Sequence, residues 1–180
     1  MRNQTSSKGS SRDASNAPRR PLYTAEERRR RDASGWTLVQ GVLAPVQFLI
    51  FAISLALVLR YLWTGQGHAG AVISVVVKTL ALYAIMVTGA IWEKVVFGRY
   101  LFAPAFYWED MFSMLVLALH TAYLAALATG ALGDRPLMYL ALAAYASYVV
   151  NAAQFVLKLR AARLDMARQS GGNQAGGVVA

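Results

Sequence analysis

Three carboxyl side chains, Glu93, Glu109 and Asp110, flank one short connection in a chain with only 9 Asp and Glu among its 180 residues. Carboxylates crowded at one place repel one another, and partial burial disfavours their charged forms further. Both effects favour an acid that keeps its proton at neutral pH, and such an acid beside an ionised carboxylate is the minimum equipment for general acid–base chemistry. The blander outcome is a set of wet ion pairs, Glu93 with Lys94 or Arg99 and Glu109 with another base. His120 follows Glu109 by about three helical turns, so a helix would bring both to one stripe. It reads either as a structural imidazole or as a ligand to a metal that a bound molecule carries. With 2 His and no Cys in the chain, a metal centre held by the protein alone is not expected, and disulfides and thiolate nucleophiles are excluded. Lys78 sits within an apolar stretch without a carboxylate at its depth, and would snorkel outward, bond helix backbone or meet an anionic ligand group. Gln47, Asn151 and Gln154 are suited to interhelical hydrogen bonds worth about 1 kcal/mol each.

These groups must be positioned by elements, and the composition says which. The chain is 57% hydrophobic and 15% charged, against about 45–50% and about 25% in soluble domains, too little polar surface for a water-exposed fold of this length. Four stretches, residues 41–63, 69–92, 108–128 and 137–157, reach the roughly 20 apolar residues that a helix needs to cross a bilayer core. None alternates with the period of two that a barrel strand requires. The expected architecture is an all-α integral membrane protein, a four-transmembrane-helix bundle spanning residues 22–163, with disordered tails at 1–21 and 164–180. Basic residues gather before the first span, in the middle connection (Lys94, Arg99) and after the last span (Lys158, Arg160, Arg163), while the other two loops offer only Arg60 and Arg135. That asymmetry predicts both termini in the cytoplasm. Thr24 and Glu27 have capping-box spacing and would start a short helix carrying Arg28 to Arg31, a run suited to anionic lipid rather than nucleic acid. Pro45 predicts a kink in the first span. The connection from Lys94 to Trp108 is short and aromatic, as a re-entrant or interfacial segment would be.

Residue chemistry alone stops at a membrane bundle with an acidic, aromatic pocket at its cytoplasmic end. Residues 22–40 (LYTAEERRRRDASGWTLVQ), 78–101 (KTLALYAIMVTGAIWEKVVFGRYL) and 102–124 (FAPAFYWEDMFSMLVLALHTAYL) resemble the 3-vinyl bacteriochlorophyllide hydratase family of bacteriochlorophyll-making phototrophs. The likeness continues, less distinctively, through residues 151–155 to about residue 163. The resemblance implies addition of water across the C3 vinyl group of chlorophyllide a or 3-vinyl bacteriochlorophyllide a to give a 1-hydroxyethyl group, in the inner membrane of a phototrophic bacterium. Fitted to that chemistry, Glu109 is expected to be the acid and Glu93 the base or water-positioner, with Asp110 holding either. His120 would ligate the pigment's own Mg, and Tyr100, Phe102, Phe106, Tyr107 and Trp108 would stack on the macrocycle. Arg99 or Lys94 would pair with its propionate. No cofactor is implied, because water addition moves no electrons. The implied partners are the tetrapyrrole substrate, membrane lipid and other pigment-making enzymes, with no nucleic acid. Two rival readings stand beside this one: a non-enzymatic tetrapyrrole scaffold, and a small proton-coupled transporter, which would want its acid nearer the midplane.

Overall fold

The computed structural model describes residues 22–176, and the expected tail at 1–21 lies outside them. Five helices follow one another: α1 (Ala25–Ala33), α2 (Gly35–Thr64), α3 (His68–Phe97), α4 (Tyr107–Thr129) and α5 (Asp134–Gly176). No strand occurs among the described residues. The capping box forms: the Glu27 N–H donates to Thr24 Oγ1 at 3.2 Å, and the Thr24 N–H donates to Glu27 Oε2 at 2.8 Å. Ser34 then ends α1 and caps α2, accepting from the Trp36 N–H at 3.2 Å. That local cap is why α2 begins at Gly35 rather than at residue 41.

Helices α2, α3, α4 and α5 are each long and apolar enough to cross a membrane. At 30 residues, α2 and α3 extend about 45 Å and overrun a bilayer core of roughly 30 Å. Large apolar side chains such as Leu38, Phe48, Ile53, Ile73, Leu80, Val87 and Val156 stand exposed around the outside of the bundle. A water-facing surface rarely carries so much contiguous apolar area, whereas a lipid-facing one needs it. The protein is accordingly a multi-pass membrane protein. Pro45 lies inside α2, and the helix carries through it as one element.

Helix α2 packs along α3 and α4 along α5, with α1 laid against α3. Phe51, Val58, Val75, Tyr123, Met138 and Tyr145 centre one core cluster. A smaller one joins Tyr23, Val96 and Phe106 with Trp92, Phe97 and Phe155 at the other end of the bundle. The last helix runs to Gly176. Ala, Leu, Arg, Met and Gln dominate residues 161–169, and all are strong helix formers whatever their polarity.

Candidate functional site

The end of α3 supplies Glu93 and the first turn of α4 supplies Glu109 and Asp110. All three are nearly withdrawn from solvent, with 6%, 8% and 4% of their surface exposed. The connection between the two helices folds back over them. Gly98 closes α3 in the left-handed conformation (φ 81°), which costs glycine nothing. Phe102 is also left-handed (φ 58°), a strained conformation for a bulky residue. Its compensation is visible: the Phe102 N–H donates to Asp110 Oδ2 at 2.7 Å, and the next N–H, that of Ala103, donates to Glu93 Oε2 at 3.3 Å. Two successive backbone donors thus grip two carboxyls from different helices.

Glu93 and Asp110 are also near enough to act on each other electrostatically. Two buried carboxyls gripped by adjacent backbone N–H groups are equipped to serve as acid and base. Glu109, expected as the acid, faces Lys158 across α5, with Nζ 2.6 Å from Oε2. The two form a close ion pair between α4 and α5. Lys158 was read only as a tail charge. The missed signal was depth: antiparallel α4 and α5 bring the start of one level with the far end of the other.

The remaining expected residues fall into three groups. Tyr100, Tyr107 and Trp108 are open, with 61%, 45% and 69% exposure, and Tyr107 lies between Phe102 and Trp108 at ring separations of 5.8 and 5.6 Å. Arg99 is exposed beside them, and Lys94 Nζ donates to the Gly98 carbonyl at 3.0 Å. Phe106 is not free to stack on anything new. It is buried against Phe155 (5.8 Å, 21° between planes), Trp92 and Phe97, with Lys158 Nζ 4.9 Å from its ring centre. Tyr23, ahead of the spans, completes that wall against Phe97 at 5.8 Å. Burial pushes the Tyr23 phenol up from its usual value, and Arg31, 4.7 Å above the ring, pulls the other way. His120 stands apart, ten residues or about 15 Å along α4 from Asp110. Its side chain is enclosed, with Nδ1 2.8 Å from the Val116 carbonyl oxygen and the ring 5.9 Å from that of Tyr145. A flat macrocycle would have to part the helices to reach it. Among the described residues no three His, Cys, Asp or Glu are grouped to hold a metal ion.

Comparison with known proteins gives a consistent picture. The sequence pattern of a family described as 2-vinyl bacteriochlorophyllide hydratase matches residues 23–161. A protein of that name from Rhodobacter capsulatus is 64% identical over 157 residues, covering 87% of this chain and 91% of the relative. Another of the same name, from Cereibacter sphaeroides, is 69% identical over 150 residues, covering 83% and 93%. No solved structure matches.

Proposed function

The chain belongs to the 2-vinyl bacteriochlorophyllide hydratase family, and from that premise we propose that the Glu93–Asp110 couple is where water is added to the vinyl group. The protein is a vinyl hydratase of bacteriochlorophyll biosynthesis, a hydro-lyase acting on a bacteriochlorophyllide-type tetrapyrrole. The finer reading takes chlorophyllide a or 3-vinyl bacteriochlorophyllide a as substrate (the vinyl position is 2 in the older ring numbering and 3 in the current one). The product carries a 1-hydroxyethyl group.

The observation that carries the reading is the clamping of two buried carboxyls from different helices by the adjacent Phe102 and Ala103 N–H groups. One carboxyl gives its proton to the terminal vinyl carbon, and the vinyl π electrons form the new C–H bond. The inner carbon is left as a cation that the conjugated ring delocalises. Water oxygen then bonds that carbon, and its surplus proton passes to the partner carboxylate. The couple ends with one proton, as it began, and that proton passes back to the first carboxyl before the next turnover. Negative charge fixed beside the site stabilises the cation, and the Phe102 and Ala103 N–H groups hold each ionised carboxyl in place as the proton moves.

Around the couple, Tyr100, Phe102, Tyr107 and Trp108 offer the macrocycle an apolar face, while Arg99 and Lys94 offer its propionate a basic edge. Phe106 backs this face from inside, and Glu109 with Lys158 clamps α4 to α5. His120 takes no part. The site faces the cytoplasm at the inner membrane, with Arg28 to Arg31 on anionic headgroups. The test is to replace Glu93 by Gln and Asp110 by Asn and follow the vinyl-linked absorption of chlorophyllide a with protein in lipid nanodiscs. Each change is expected to lower kcat by about 10²–10⁴-fold while pigment binding persists. Wild-type turnover in both variants discards the assignment.

A further inference from the structure

The middle of the bundle holds a second set of polar groups that the carboxyl couple does not use. Lys78 on α3 and His120 and Tyr123 on α4 have no exposed surface. Among the described residues, Lys78 Nζ, His120 Nε2 and the Tyr123 hydroxyl have no hydrogen-bond partner. These groups are close neighbours. Lys78 Nζ lies 3.9 Å from the centre of the Tyr148 ring, and His120 lies 5.9 Å from Tyr145, ring to ring. Lys78 is near enough to His120, and Tyr145 to Tyr123, to act on them electrostatically. The Tyr145 hydroxyl is bonded to Ser54, which is bonded in turn to Ser74 at 2.7 Å.

The hydrogen-bond roles in this cluster are complementary. The Val116 carbonyl can only accept, so the His120 proton sits on Nδ1, and Nε2 of the neutral ring is an acceptor. Lys78 is a donor and the Tyr123 hydroxyl is both. Donors and acceptors therefore share one enclosed, lipid-girdled space without bonding one another, a costly arrangement where bulk water is excluded. What reconciles them must donate and accept at once and be small enough for a space closed by Tyr145 and Tyr148. Water does both.

We propose that the bundle core binds ordered water between Lys78, His120 and Tyr123, at a site separate from the Glu93–Asp110 couple. The polar trail continues toward that couple: the Asn151 amide donates to Ser113 Oγ at 2.9 Å, its Oδ1 is unpartnered, and Ser113 lies about one turn along α4 from Asp110. The core site does not depend on the reaction assigned above, and its test needs no turnover.

The full chain in lipid nanodiscs is given a brief X-ray dose in buffer, so that water itself generates hydroxyl radicals, and oxidation is read residue by residue by mass spectrometry. Exposed Tyr100 and Tyr107 report dose and folding. The expected result is oxidation of Tyr148 and, in spite of their burial, of His120 and Tyr123. Lys78→Met keeps chain length without the amine, and should lower that oxidation several-fold with Tyr100 and Tyr107 unchanged. If Lys78→Met disturbs Tyr100 and Tyr107, Tyr123→Phe serves instead, with the same loss expected at His120 and Tyr148. Unmodified His120, Tyr123 and Tyr148 in the parent protein, or undiminished oxidation in the folded variant, overturns the proposal.

Discussion

On the proposed mechanism, a carboxyl of the Glu93–Asp110 couple and a carboxyl that faces an ammonium respond differently to becoming an amide. In Glu109→Gln the partner Lys158 is left half-buried with its charge uncompensated, since only 26% of its side chain is exposed. The cost should fall between the about 1 kcal/mol of an exposed pair and the about 3–5 kcal/mol of a buried one. Thermal unfolding in detergent should show Glu109→Gln destabilised, and the Glu109→Gln, Lys158→Met double variant closer to the parent, because no unpaired charge remains. An equal or larger loss in the double variant would mean that the pair is not the source. Catalysis divides the other way, with Glu109→Gln retaining far more turnover than the amides at Glu93 or Asp110. Sequence reading brought these three acids to one place, because a short connection between two spans returns the chain to the same membrane face. It did not say which partner each would take. That depends on the rotation of α3 and α4 about their axes and on the reach of Lys158, 49 residues from Glu109 in the chain.

At the scale of elements, the connection from Gly98 to Phe106 is a local device that aims backbone donors at side chains. Gly98 is required by its left-handed backbone alone, since an added Cβ would meet nothing within 4 Å. Gly98→Ala should therefore cost about 1–2 kcal/mol of strain and nothing from crowding. The turn that carries the Phe102 and Ala103 donors would shift with it, so kcat should fall together with the unfolding temperature. A variant with unchanged midpoint and unchanged kcat would show that this turn does not position the couple. The helices themselves were readable from hydropathy, and α1 from its capping box. Helix ends were not, because caps such as Ser34 and a helix-prone Ala- and Arg-rich tail extend helices into polar sequence that hydropathy leaves out.

For the whole molecule, charge asymmetry across the spans predicts that the α3–α4 connection lies on the cytoplasmic side and the α2–α3 turn opposite. The chain has no cysteine, so single replacements can report this without a background. Arg99→Cys and Gln66→Cys occupy exposed positions at opposite ends of α3. In intact cells a membrane-impermeant thiol reagent should label Gln66→Cys and spare Arg99→Cys, and the reverse pattern would invert the orientation and move the acid couple to the other face.

The sequence by itself determined the lipid-spanning helices, the family, and the level at which the acids, aromatics and basic edge are found, because composition, span length and connection length act along the chain. Only the fold shows that Glu93 and Asp110 accept from adjacent backbone donors while Glu109 faces Lys158, that Phe106 is enclosed by Phe155, Trp92 and Phe97, and that His120 is enclosed beside Tyr145. Those outcomes depend on which faces of helices distant in sequence meet, and a one-dimensional pattern carries no record of how each helix is rotated against its neighbours.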